Sequence, residues 1–146
     1  MTPETIENLI TEAFLARELA YVPYSDFAVG AALLSEEGTV FRGCNIENAA
    51  YAPTNCAERT AVFKAVSEGI RNFQAIAIVG GKQELSAGQV DYCPPCGLCR
   101  QVLREFCDPE AFVVILATSA KEYKTFLLKD LLPMSFGPGS LASQKG

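Results

Sequence analysis

Histidine is absent from the 146 residues. That gap excludes Ser-His and Cys-His nucleophilic machinery and leaves any zinc site to thiolates and carboxylates. Long apolar runs are also missing, and no stretch approaches the ~18 residues that suggest a membrane span. The N-terminus, "MTPETIENLI", has acidic residues and no basic segment ahead of an apolar run, so no signal peptide is expected. Lys and Arg form no cluster, and the formal net charge is −5. A surface of that sign repels phosphate backbones, which disfavours polynucleotide ligands. The expectation is a soluble, cytoplasmic protein that engages neither membrane nor nucleic acid.

What is present is ordinary globular composition, 49% hydrophobic and 20% charged, in a chain long enough for one domain with an ample core. A single domain over 1–138 and a flexible polar tail over 139–146 are expected. Ile6, Leu9, Ile10, Ala13 and Phe14 keep helical spacing within a helix over 4–20. "FAVGAALLS" and "VFRGCNIE" read as a strand hairpin turned at "EEGT". Thr54 or Asn55 can cap a helix running from about Cys56 to Glu68. "FQAIAIVG" follows as a buried strand, then a polar loop and a helix over about Cys96–Phe106. "FVVILAT", "KEYKTFLL" and "LKDLLP" read as two strands and a short helix. Strands alternating with helices imply a sheet covered on both faces, a three-layer α/β/α sandwich around a mixed sheet of about five strands.

Six cysteines stand in the chain, three of them crowded into "CPPCGLC". Such clustering favours metal or redox chemistry over a disulfide framework. Cys96 and Cys99, three apart at a helix start, share one face. Alone they suit either a thioredoxin-like redox pair or half of a zinc site. Cys56 distinguishes the two, because it opens another helix, and two such tips can meet beside the sheet. Three thiolates with the fourth position left to water is the pattern of a catalytic zinc. Glu58, two residues after Cys56, is poorly placed to ligate with it but can reach over the helix tip toward that water. Cys-x-Glu with Pro-Cys-x-x-Cys matches the deaminase signature, with cysteine where histidine is usual. Three thiolates on zinc leave a formal charge of −1, and Arg59, on the face of Cys56, is expected to donate to sulfur and restore Lewis acidity. Cys44 and Cys107 read as structural. Cys93 forms its own CxxC with Cys96 and is expected to point away.

"CAERTA" (56–61) with "PCGLCRQVLREF" (95–106) resembles the cytidine deaminase family, as do "PYSDFAVGAAL" (23–33), "GCNIENAAY" (43–51) and "LLPMSFGP" (131–138). The stretches are spread over most of the chain, from about residue 20 to 138, in family order. Leu98 departs from the small residue usual between the cysteines, Cys93 is extra, and the 80–92 loop is long.

The resemblance implies a cytidine deaminase-like fold and hydrolytic deamination of cytidine and deoxycytidine, with one Zn2+ per chain on Cys56, Cys96 and Cys99. It implies Phe27 in the base pocket and Asn45 and Glu47 on the sugar's 3′-hydroxyl side. It further implies a homotetramer with shared sites, in which Phe136 stacks on the base in an adjacent subunit while Ala49 and Tyr51 approach from another. The Ala57 backbone amide, at the helix tip, suits the base carbonyl.

Overall fold

Thr2 starts the first helix. Its Oγ1 accepts from the Thr5 amide at 3.2 Å, and Pro3, whose φ is already helical, takes the first helical position. In this computed structural model residues 1–142 are described. In chain order they form α1 (Pro3–Arg17), β1 (Phe27–Ser35), β2 (Val40–Cys44), α2 (Ala57–Ser67), β3 (Phe73–Lys82), α3 (Gly97–Phe106), β4 (Val113–Ala117), β5 (Tyr123–Leu127), α4 (Leu128–Leu131) and α5 (Pro138–Ala142). The sheet order is β2-β1-β3-β4-β5; only β3 and β4 run parallel, so the sheet is mixed.

Its central strands are buried on both faces, which is why they read as continuous apolar runs. Alternate residues serve opposite layers. Ala32, Leu34, Ala75, Ala77, Val79 and Ile115 pack against the α1 stripe of Ile6, Leu9, Ile10 and Ala13. Ala31, Leu33, Ile76, Ile78, Val114 and Leu116 meet Ala57, Ala61, Val62 and Ala65 of α2 and Leu103 of α3. The expected α/β/α sandwich is therefore present. Truncating any one of its fully buried Leu or Ile side chains to Ala would cost about 2–5 kcal/mol.

Two glycines set how closely helices approach the sheet. A Cβ on Gly30 would lie 2.5 Å from the Arg17 amide nitrogen, and one on Gly43 would lie 2.5 Å from that of Ala61. Both faces thus rest on backbone-to-backbone contact at β1 and β2.

Several boundaries differ from the sequence reading. β3 continues to Lys82 because β1 keeps pairing with it, Phe27 opposite Lys82 and Ala28 opposite Gly81. β2 stops at Cys44, and Asn45 and Glu47 lie beyond it; Ile46 makes only isolated bridges to Tyr21 and Asn55. α1 ends at Arg17, which is 8% exposed. Its guanidinium donates to the carbonyls of Ala28 (2.9 Å), Gly81 (2.9 Å), Lys82 (2.5 Å) and Leu85 (2.7 Å). Burial lowers its pKa, and these charge-assisted bonds offset the lost hydration. Where the sequence suggested a polar tail, Pro138–Ala142 form a short helix; residues 143–146 lie outside the described residues. No helix among the described residues is long and apolar enough to cross a membrane.

Candidate functional site

Both α2 and α3 start on a cysteine. Cys56 (φ −78°, ψ 155°) and Cys96 (φ −69°, ψ 169°) occupy the N-cap positions, and neither makes a side-chain cap hydrogen bond. The caps expected from Thr54 or Asn55 are therefore not formed. Those residues belong to the loop closed by the Ile46–Asn55 bridge: Thr54 Oγ1 accepts from the Asn48 amide at 3.1 Å, and Asn55 Nδ2 donates to Thr60 Oγ1 at 3.2 Å. A helix N-terminus has four amides without intrahelical partners and a partial positive charge. Two such ends here face a common group of sulfurs.

Cys56 Sγ lies 3.9 Å from Cys96 Sγ, and Cys96 Sγ lies 3.5 Å from Cys99 Sγ. All three atoms fall within 4.8 Å of one another. Zinc bonded to sulfur at about 2.3 Å in tetrahedral geometry holds its sulfurs about 3.8 Å apart, so the triad fits that ion. Cys93 stays outside this group. Glycines at the end of β3 let its segment lie flat on the sheet, since a Cβ on Gly80 would sit 2.8 Å from Cys93 Sγ and one on Gly81 2.6 Å from Val90 Cγ1. Burial pushes the Cys93 thiol up to about 11 and Cys107 up to about 12, and it raises Cys44 as well. These three are neutral thiols near pH 7. Leu98 is 66% exposed and projects into solvent.

Around the sulfurs the electrostatics are uneven. Hydrogen bonding from Cys99, aided by Arg59, draws the Cys56 thiol well below its ordinary value, while the same pairing and burial hold Cys99 far above. A divalent cation held by Cys56, Cys96 and Cys99 would remove this competition, because it would bind all three as thiolates. Arg59 Nη2 donates to Cys56 Sγ at 3.3 Å, the contact expected from their spacing. Its Nε is buried with no partner among the described residues. Glu58 is 4% exposed, and burial pushes its carboxyl up to about 6, with the Cys56 charge adding to the shift.

A second group of residues lies where β1 begins. Phe27, which composition alone would put in the core, is 40% exposed at the first position of β1. Asn45 Oδ1 accepts from the Val29 amide at 2.9 Å, and its Nδ2 donates to the Phe27 carbonyl at 2.8 Å. Glu47 Oε1 accepts from the amides of Tyr24 (3.0 Å) and Ser25 (3.1 Å), and Oε2 accepts from the Ser25 hydroxyl. These bonds, the hydroxyl foremost, hold the Glu47 carboxyl below its usual range. Both side chains therefore turn toward the 21–29 segment, but from an irregular loop rather than from a strand. A depression of about 370 Å³ is lined by Tyr24, Ser25, Glu47, Asn48, Tyr51 and Thr54. Ser25 was not singled out from the sequence, although it stands in "PYSDF" two residues before Phe27. Arg17 gave no signal either, because a basic residue ending a helix reads as an ordinary dipole partner. Ala57 is buried at the α2 tip. Ala49, Tyr51 and Phe136 are exposed on loops, Tyr51 at 85% and Phe136 at 60%, with little cover from their own chain.

A family model described as the cytidine and deoxycytidylate deaminase zinc-binding region matches residues 3–116. The chain belongs to this deaminase family. A cytidine deaminase of Sporosarcina psychrophila is 51% identical over 137 residues, covering 94% of this chain and 95% of the relative. One from Halalkalibacterium halodurans is 52% identical over 130 residues, or 89% and 92% of the two chains. Among solved structures, the cytidine deaminase from Burkholderia pseudomallei matches with a TM-score of 0.79 at 45% identity, covering 93% of this chain and all of its own. That from Mycobacterium tuberculosis matches with a TM-score of 0.74 at 42% identity, over 89% and 95%. The family's zinc-binding region and the Cys56, Cys96 and Cys99 sulfurs fit one zinc per chain.

Proposed function

We propose that the chain is a cytoplasmic, zinc-dependent cytidine and deoxycytidine deaminase of pyrimidine salvage, releasing ammonia to form uridine and deoxyuridine. The observation that carries this reading is the meeting of three sulfurs at two helix tips with a buried carboxyl two residues from one of them. Zinc, when bound there, supplies Lewis acidity that can lower the pKa of a water toward about 7.

The protein's own groups do the remaining work. Glu58, with a value near 6, can both accept and return a proton close to neutral pH. It takes a proton from the attacking water and places it on N3 of the base, then takes the remaining hydroxyl proton at C4 and delivers it to the amine, which departs as ammonia. General acid–base help of this kind is worth about 10²–10⁴-fold. The Ala57 amide donates to the base carbonyl from the tip of α2. Phe27 packs against the base. Asn45 spends one Nδ2 hydrogen on Phe27 and keeps its other for a sugar hydroxyl; Glu47 retains acceptor capacity for the 3′-hydroxyl. A carboxylate at that position repels a 3′-phosphate, which turns nucleic acid away. Arg59 tempers the charge on Cys56.

The same reading makes the enzyme a homotetramer. Phe136 stacks on the base bound by one neighbour, and Ala49 and Tyr51 approach the site of another. Their exposure in the isolated chain supports this arrangement. The deciding experiment measures zinc per chain and ammonia release from cytidine on one purified sample. One zinc and turnover that chelation abolishes are expected. A metal-free chain that deaminates at full rate would refute the reading.

A further inference from the structure

The face of α3 that follows Cys96 and Cys99 holds the segment carrying Phe136. Arg100 Nε donates to the Pro95 carbonyl at 2.8 Å and Nη1 to that of Leu131 at 2.6 Å. Gln101 Nε2 donates to the Phe136 carbonyl at 2.8 Å, and Arg104 Nε donates to Ser135 Oγ at 2.8 Å. Residues 100, 101 and 104 are neighbours on one side of the helix. The next residue, Gly137, is buried under the Arg104 guanidinium: a Cβ there would lie 2.5 Å from Cζ and 2.6 Å from Nη1. Two residues before Phe136, Met134 adopts φ 49°, a left-handed conformation that persists only where its surroundings impose it. The backbone is thus fixed before, at and after Phe136, yet the ring remains 60% exposed. A segment ordered for packing alone would bury its aromatic; this one presents it.

We propose that Gln101 and Arg104 are positioning residues for Phe136. One rigid helix then sets both the Cys96–Cys99 end of the metal site and the angle at which the aromatic is offered. The inference rests on the reading of Phe136 as the residue that stacks on the base, and it adds what holds that residue in place. Gly137 is the residue whose missing side chain admits Arg104. Arg104 acts before binding, by limiting the conformations of the Phe136 loop that would otherwise be ordered only when substrate arrives.

The test uses the zinc-loaded enzyme. Arg104→Met should raise KM for cytidine about three- to tenfold, the cost of ordering one side chain and its loop on binding. kcat per zinc-loaded chain and zinc content should stay unchanged, and Arg104→Lys should recover part of the KM. The chain has no tryptophan, so Phe136→Trp provides a sole indole reporter, whose anisotropy should fall when Arg104→Met is added. Should Arg104→Met fail to fold, Gln101→Leu, at an exposed position, removes only the bond to the Phe136 carbonyl and should also raise KM. An unchanged KM in these variants, while Phe136→Ala raises it, overturns the positioning role and leaves the stacking role standing. If Phe136→Ala itself leaves KM unchanged, both fail. Loss of zinc or kcat at constant KM would mark a structural role and overturn the proposal too.

Discussion

Gly43→Ala adds one methyl group where β2 meets α2. An ideal Cβ at Gly43 would lie 2.5 Å from Ala61 N and 3.0 Å from Ala61 Cα, with the Ala57 carbonyl oxygen closer still. Ordinary contact begins near 3.4 Å, so strand and helix must part by about 1 Å. All three obstructing atoms are backbone, so no rotamer change relieves the clash. Overpacking of this kind costs about 1–3 kcal/mol, and a backbone obstacle belongs at the upper end. With a urea m-value of about 1.5 kcal/mol/M, the unfolding midpoint should fall by about 2 M. The displaced tip of α2 carries Cys56, now 3.9 Å from Cys96 Sγ. A shift of about 1 Å takes this pair well beyond the roughly 3.8 Å that tetrahedral zinc requires, so zinc affinity should fall at least tenfold. Both effects are measurable by urea titration and by zinc retained against a competing chelator. Gly97→Ala is the control: it adjoins Cys96, yet its Cβ would meet nothing within 4 Å, and zinc binding should survive. A Gly43→Ala protein with wild-type midpoint and zinc affinity would refute the close-packing argument.

Glu58→Gln keeps shape and removes the proton carrier. Zinc per chain should be unchanged and kcat should drop about 10²–10⁴-fold; near-native turnover would remove Glu58 from the proposed mechanism. Arg59→Gln deletes the 3.3 Å charge-assisted bond to Cys56 Sγ, and chelator competition should show zinc affinity about tenfold weaker. Cys107, 5% exposed, has its thiol pushed up to about 12, above the ordinary value of 9.0, so the folded state holds that proton more tightly. The associated stability is complete below pH 9 and is lost as pH rises from 9 to 12, by up to about 4 kcal/mol. Urea midpoints at pH 8, 9.5 and 10.5 should therefore fall more steeply for the wild type than for Cys107→Ala.

Local pattern made much of this molecule legible. The apolar stripe of α1 and the runs of β1, β3 and β4 announced a sheet covered on both faces, because side-chain periodicity follows directly from helix and strand geometry. The spacing of Cys96 and Cys99 placed two sulfurs on one helical turn, and Cys-x-Glu with Pro-Cys-x-x-Cys named the chemistry. Tertiary structure decided the rest. Cys93 and Cys56 were both possible third ligands by composition; packing of Cys93 against Gly80 and convergence of the α2 and α3 tips made the choice. Asn45 and Glu47 alternate like strand residues, yet hydrogen bonds to the 24–29 backbone hold them in a loop. Arg17 and Gly43 matter through carbonyls and amides at least 11 residues away in sequence. Spacing along a helix is a property of a few adjacent residues. Which distant tips meet depends on how closely two backbones can approach across a sheet, and that distance exists only once the chain has folded.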